Sequence, residues 1–491
     1  MSIWQLSATE LLEQFRRGAA SPVEATEAAL GRIDALDVKV NAFCLVDAER
    51  ALADARASEQ RWHRREPRGL LDGVPVAIKD LFLTRDWPTL RGSVLIDPDQ
   101  PWTEDAPSVA RLREHGAVLI GKTTTPELGW KGVTDSPRCG ATGNAWDPSL
   151  TSGGSSGGSA TAVALSMVSL ATGTDGGGSI RIPAAFSGIF GLKPTYGRIP
   201  LYPATPFGTL SHGGPMTRTV EDAALMMDVL TSFDSRDWSA MPTPSESHRT
   251  GLDRGLAGMR MAYSADLGYV DVDPEIAALV GHAVDKLSEL GAHVDELDPG
   301  FADPVEAFNV LWYSGAAKAV QQFPPATWSQ LDPGLQEIVE EGRRVSASEY
   351  IDATAERNRL GVAMARLHET YDVLLTPTMP LVAFAAGHEV PPGWPQRRWT
   401  SWTPFSYPFN LTQQPAASIP CGLTSAGLPV GLQVVGPRHA DSTVLAVCKA
   451  FQNTGDRQSP RLRPSRDRQV GHGRPGWDED RSRRGPVGQS E

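Results

Sequence analysis

Cysteine is scarce in this chain: four residues among 491, Cys44, Cys139, Cys421 and Cys448, with no Cys-x-x-Cys pair. That scarcity argues against a disulfide framework or a thiolate zinc centre and fits reduced thiols. The ten histidines form no His-x-His or His-Glu-x-x-His pattern, so neither a catalytic metal nor another cofactor is expected. Long apolar runs are missing too. The nearest, Thr161 to Thr172, is interrupted by Ser166 and Ser169 and is shorter than the roughly 20 residues that span a bilayer. No charged segment followed by an apolar stretch opens the chain, which argues against a signal peptide, and the expectation is a cytoplasmic protein. Basic residues are in deficit, 46 Lys and Arg against 58 Asp and Glu, giving a formal charge of −12. A nucleic-acid-binding face, which needs clustered Lys and Arg, is therefore not expected.

What remains is an ordinary globular composition, 40% hydrophobic and 21% charged, in a chain long enough for a large core. Ser7-x-x-Glu10 and Ser21-Pro22-x-Glu24 predict two capped helices near the start. Gly73 to Ile78 reads as a buried strand ending at Lys79-Asp80. A helix ending near Arg111–His115 precedes Gly116 and a strand from Ala117 to Ile120. Met259 to Tyr263 is another strand, and Asp273-Pro274 starts a helix that Gly291 stops. Val373 to Leu375 and Leu428 to Val435 add two more strands. Strands alternating with helices imply an α/β fold around one mixed or parallel sheet. The segment Asp234 to Gly258, rich in Ser, Pro and Arg, reads as a domain boundary or a surface loop. Residues 455–491 mix Arg, Pro, Gly and Asp without hydrophobic periodicity and read as a disordered tail.

The most unusual stretch is Ser152-Gly-Gly-Ser-Ser-Gly-Gly-Ser159. By composition it is a flexible linker. A linker, however, is not followed by a small-residue helix (Ala160 to Leu165) and a second loop, Gly173-Thr-Asp-Gly-Gly-Gly-Ser179. A phosphate loop needs Gly-Lys before its helix, and a dinucleotide loop needs a different glycine register. The remaining reading brings two serines to a base, with glycine N–H groups forming an oxyanion hole.

GVPVAIKD, GGSSGGSA and GTDGGGSIRIPAAFSGIFGLKPTYGR, in this order, resemble the amidase signature family of Ser–Ser–Lys hydrolases. The signature core spans about residues 71–218, within a domain expected over 1–454. The resemblance implies a large mixed β-sheet core flanked by helices on both faces. It implies Ser179 as nucleophile, Ser155 as the bridging serine after a cis peptide bond, and Lys79 as base. The N–H groups of Gly176, Gly177, Gly178 and Ser179 would form the oxyanion hole. Chemistry agrees: a serine needs a base, and a lysine serves only when burial leaves its amine neutral. Ser156 reads as a structural loop residue, and Lys122 and Lys193 as supports of local structure. Asp175 and Arg181 read as groups orienting the loop, and His212 as structural or pocket-lining. One departure stands out: family members commonly carry Thr or Ile where this chain has Gly176.

By the same resemblance Gly129 lines the acyl pocket, with Trp130 beside it as a second substrate-binding candidate. The aromatic run Trp399, Trp402, Phe405, Tyr407 and Phe409 is either core or an apolar wall. As a wall it favours aryl or acyl amides, anilides or carbamates, with esters as a side activity. The alternative is the glutaminase component of a tRNA-dependent amidotransferase, although TLSHGGPMTR around His212 departs from the Ser-Leu-Asp expected there. A non-catalytic scaffold predicts a lost lysine or serine, and all three are present. The expected partners are a small-molecule amide and, compatibly, a second copy in a homodimer, with neither nucleic acid nor membrane.

Overall fold

The computed structural model describes residues 2–455 and residue 460. Apart from Gly455 and Pro460, the expected tail lies outside the described residues. Thirteen strands are found among them, in chain order β1 (Phe43–Val46), β2 (Pro75–Lys79), β3 (Val118–Thr123), β4 (Asp135–Ser136), β5 (Gly140–Ala141), β6 (Leu170–Asp175) and β7 (Phe190–Lys193). They continue with β8 (His212–Thr217), β9 (Arg260–Tyr263), β10 (His293–Glu296), β11 (Val373–Pro377), β12 (Ala416–Leu423) and β13 (Pro429–Val435). Eleven form one sheet in the order β1-β3-β2-β6-β8-β7-β12-β13-β11-β9-β10, and β4 and β5 form a separate hairpin. The sheet is mixed: β2 runs parallel to β3 and β6, whereas β6–β8, β7–β8 and β12–β13 are antiparallel. The segment 234–258 lies between β8 and β9, and both belong to this sheet.

The helix starts follow the expected chemistry. Ser7 accepts from the Glu10 N–H while Glu10 reaches back to the Ser7 N–H, and Ser21 and Glu24 do the same for the helix Pro22–Val40. Asp273 caps the helix Pro274–Glu289, and Gly291 follows with a φ of 95° that any other residue would strain to adopt.

The alternation of side chains along β2 sets up the site. Val76 and Ile78 enter a core cluster with Val74, Leu119 and Phe190, whereas Ala77 enters another with Ala160 and Val163. Lys79 shares the face of Ala77. That face is covered by the helix Gly157–Ala164, whose eight residues are all buried. Burying Val76 and Ile78 stabilises this strand by about 1.5–3 kcal/mol each. Among the described residues no helix is long and apolar enough to cross a membrane.

Candidate active site

Lys79 ends β2 with its side chain fully buried. Its Nζ lies 2.7 Å from Ser155 Oγ, 2.8 Å from Ser156 Oγ and 2.8 Å from Thr174 Oγ1. No ion pair joins it among the described residues. Burial pushes its pKa well below that of an ordinary lysine, opposed only by the more distant charge of Asp175. The Ser156 hydroxyl is within reach of the Thr174 carbonyl at 3.2 Å, so its own proton has an acceptor other than the amine.

Lys122 is the next lysine along the chain, and register explains why it is elsewhere. Val76 pairs with Leu119 but Ala77 pairs with Gly121, so one residue of β3 is bulged. Beyond the bulge Lys122 pairs with Ile78 and points to the opposite face from Lys79. There it donates to Phe82 O and Thr89 Oγ1 and pairs with Asp80 at 3.3 Å. Lys193 is buried as well, but it donates to the backbone carbonyl of Gln414 and hydrogen-bonds to no serine among the described residues.

The glycines around Ser155 are set by contact. A Cβ at Gly154 would lie 2.4 Å from the Val133 carbonyl, and one at Gly157 would lie 2.3 Å from Ser152 Oγ. The Gly154–Ser155 peptide is cis. Gly129 stands beside this loop, since a Cβ there would lie 3.6 Å from Ser155 Oγ. Trp130 follows Gly129 in the chain, one layer behind the loop. It is fully buried with its ring against Gly334, and its carbonyl accepts from Trp312 Nε1 at 3.0 Å.

Ser179 closes the second glycine loop. Its carbonyl accepts from the Ser156 N–H at 3.1 Å, which joins the two loops. Its hydroxyl makes no hydrogen bond among the described residues, to Ser155 or to any other group. The loop is held by Asp175, whose carboxylate accepts from the N–H groups of Gly178 (2.8 Å) and Ile180 (3.2 Å). Arg181 grips the same carboxylate through Nε and Nη2, both at 2.9 Å, and Asn410 adds a bond of 2.8 Å. Despite full burial, the Arg181 charge and these bonds hold the Asp175 carboxyl well below the usual range. Gly178 therefore spends its N–H on Asp175. The N–H groups of Gly176, Gly177 and Ser179 donate to no group of the described residues.

The remaining walls come from far along the chain. Ser406 Oγ donates to Gly177 O at 2.6 Å, and Arg181 also donates to Ser406 O and Gln433 Oε1. A Cβ at Gly176 would lie 2.7 Å from Cζ3 of Trp312. One at Gly177 would lie 2.6 Å from Phe308 and 2.7 Å from Trp399. Trp312 thus fills the room that a Thr or Ile side chain would need at position 176. Phe308 and Trp312 stack on each other with centroids 5.5 Å apart, and Phe207 stacks on Trp312 at 4.0 Å. Of the expected aromatic run Trp399 lies against the glycine loop, and Tyr407 stacks on Phe308 with centroids 5.1 Å apart. Trp402 stacks on Phe186, and Phe405 and Phe409 are buried in the interior. His212 is buried with Nδ1 against Leu210 O at 2.8 Å, a structural position.

The sequence-based reading missed Ser156 and Thr174 as partners of the amine, and Phe207, Phe308 and Trp312 as walls. The i, i+4 spacing of Phe308 and Trp312 was the available signal, since it puts both rings on one helix face.

The family model for amidases matches residues 24–445. The chain belongs to the amidase signature family. It is 35% identical to an acylamidase of Rhodococcus erythropolis over 458 residues, covering 91% of this chain and 95% of that one. It is also 35% identical to the A component of the glutamyl-tRNA(Gln) amidotransferase of Myxococcus xanthus, covering 93% and 98%. The fold superposes with a TM-score of 0.86 on the crystal structure of a bacterial aryl acylamidase of this family, 30% identical, with 91% and 96% covered. The expected fold is the observed one, and in this amidase-family chain the three quoted motifs surround one buried amine.

Proposed function

We propose that this protein is a stand-alone amidase that cleaves the C–N bond of acyl or aryl amides through an acyl-enzyme on Ser179. One observation carries the reading: a buried Lys79 amine, without a counter-ion among the described residues, ringed by three hydroxyls beside a glycine loop with free N–H groups. A neutral amine has two protons to give and one lone pair. Ser156, with its own proton directed to the Thr174 carbonyl, accepts one, and Thr174 Oγ1 accepts the other. The lone pair then faces the Ser155 hydroxyl, so Ser155 gives its proton to Lys79 as it takes one from Ser179.

The Ser179–Ser155 bond of this relay forms with substrate in place, as catalytic hydrogen bonds often tighten only in the reacting complex. As Ser179 Oγ attacks the carbonyl carbon, the N–H groups of Gly176, Gly177 and Ser179 face the developing oxyanion, each such donor being worth about 2.7–4 kcal/mol. Collapse of the tetrahedral intermediate breaks the C–N bond, and the relay runs backwards to protonate the departing amine. Water, activated by the same relay, then releases the acid from Ser179.

Phe308, Trp312 and Trp399, packed against Gly176 and Gly177, offer flat apolar surface next to the reacting carbon. That surface suits aryl or acyl groups better than the polar side chain of glutamine. The test is a substrate panel with the protein alone. Release of aniline from acyl anilides is expected; ammonia from glutamine only, and only with partner proteins present, would overturn the reading in favour of the amidotransferase component.

A further inference from the structure

A cavity of about 230 Å³ lies behind the aromatic wall, between the turn Gly208–Leu210 and the helices Val305–Val320 and Ala347–Leu367. Phe207 is common to the cavity and the wall. It lines the cavity and stacks on Trp312, which in turn lies against Gly176. Thr209 and Leu210 line the cavity too, and Ser211, next in the chain, has its Oγ 3.5 Å from the place of a Cβ at Gly176. One short stretch of chain therefore joins the cavity to the glycine loop.

The chain as a whole carries a formal charge of −12, yet this cavity is lined by two cations, Arg357 and Lys318, and by no carboxylate. Arg357 is half-buried and gives its hydrogen bonds to neutral acceptors only. Nε donates to Leu411 O at 2.6 Å, Nη1 to Thr209 Oγ1 at 2.6 Å and Nη2 to Thr209 O at 3.3 Å. Of the five N–H groups of a guanidinium, two are left without an acceptor among the described residues. Burial works against its charge and lowers its pKa from the ordinary arginine value. Lys318 is exposed, and its Nζ donates to Gln321 Oε1 at 3.1 Å. No ion pair joins either cation among the described residues. A cation drawn out of water without a counter-charge costs stability, and a bound carboxylate, matched to the guanidinium fork, offsets that cost. A wider groove of about 600 Å³ shares Ser314, Lys318 and Tyr350 with the cavity and reaches the exposed Ile351, which gives a way in from solvent.

We infer that this cavity holds a carboxylate at the end of the substrate's acyl group, gripped by Arg357 and Lys318, so that acidic acyl amides are the preferred substrates. The inference rests on the amidase reading above and narrows its substrate to an apolar spacer beside Phe207 and Trp312 followed by an anion. Glutamine fits poorly, because its ammonium would meet two cations and no acid.

The experiment compares acidic with neutral substrates on the full chain. Aniline release is measured from succinanilic, glutaranilic and adipanilic acids and from their neutral counterparts butyranilide, valeranilide and hexananilide, at low and high salt. Calorimetry with Ser179→Ala reads the affinity of the same compounds without turnover. The best acid is expected to exceed its neutral counterpart by about tenfold or more in kcat/KM, the worth of one charged hydrogen bond. High salt should shrink that ratio. In Lys318→Glu and Arg357→Met the ratio should fall to about one or below; melting curves check the fold of Arg357→Met, which also loses its bonds to Thr209, whereas Lys318 is exposed and its variant is expected to fold normally. Equal kcat/KM for acids and neutral anilides, with equal binding to Ser179→Ala, overturns the cavity assignment and leaves the amidase reading standing. Lys318-dependent binding of the acids to Ser179→Ala, with no anilide turned over by wild type, upholds the cavity and removes the amidase reading. Glutarate that binds as tightly as glutaranilic acid, without competing with it, overturns the assignment to the substrate in favour of a separate organic acid.

Discussion

Replacing Gly176 with threonine, a residue the family resemblance leads one to expect there, should damage this chain, and the structure says by how much. A Cβ at 176 would lie 2.7 Å from Cζ3 and 3.1 Å from Cη2 of Trp312, well inside ordinary contact. Trp312 has little room to retreat. It is 3% exposed, stacked between Phe207 and Phe308, edge-on to Trp399, and its Nε1 donates to Trp130 O. Moving it forfeits stacking worth about 0.5–1.5 kcal/mol and leaves a buried N–H unpaired at about 1–3 kcal/mol. If the loop moves instead, the N–H groups of Gly176 and Gly177 lose their aim, at about a hundredfold in rate per donor. Gly176→Thr is therefore expected to cost about 2–3 kcal/mol of stability, a slower acylation rate, or a share of each. The assay is a double-mutant cycle with Trp312→Leu, read by urea unfolding and by acylation kinetics. Truncating Trp312 opens the space that threonine needs, so the pair should couple favourably by about 1 kcal/mol or more. A Gly176→Thr variant within about 0.5 kcal/mol of wild type, with an additive cycle, would refute the packing argument.

Other consequences are simpler to read. Lys79→Met should abolish amide hydrolysis yet unfold at a higher temperature than wild type at neutral pH. Because the folded-state pKa is depressed, the amine's contribution to stability is present above the unfolded value and is lost as pH falls, so the variant's advantage should grow towards acid pH. Ser156→Ala removes one acceptor of the amine and should slow acylation by roughly tenfold, the worth of about one hydrogen bond, without changing the labelled residue. Burial pushes Glu389 up to about 7, where it accepts from the Trp399 N–H at 3.0 Å. A raised folded-state pKa gives stability that is complete below the unfolded value near 4.5 and lost as pH rises through 7. Glu389→Gln should thus be nearly neutral at pH 5 and stabilising by about 2–3 kcal/mol at pH 8, measured by thermal melts at both pH values.

The elements that sequence reasoning located best were those fixed by local chemistry. The Ser7–Glu10 and Ser21–Glu24 boxes start helices where they stand, because a side-chain cap needs only its own turn. The strand ending at Lys79 was legible from its apolar run. The face that Lys79 takes was not, because it depends on a bulge in the neighbouring strand β3. Ser155, Ser179 and Lys79 could be picked out only because three motifs occur in order. The buried Arg181–Asp175 pair closes through Ser406, Asn410 and Gln433, more than 220 residues away, and no spacing rule reaches that far. Adjacency to Gly129 singled out Trp130, but the packing of its ring against Gly334 of a distant helix was not legible locally. The aromatics that touch the loop come mostly from the helix Val305–Val320, whose tertiary position the sequence does not encode locally.

Ser179 as the nucleophile and Ser155 as its relay are the central assignments. Their most direct test is intact-mass and peptide analysis after exposure to a fluorophosphonate, on wild type, Ser179→Ala and Ser155→Ala. A single adduct on Ser179 is predicted in wild type, with none in Ser179→Ala and slowed labelling of the same residue in Ser155→Ala. An adduct that persists in a folded Ser179→Ala protein, or that maps to Ser155 or Ser156 in wild type, would contradict them.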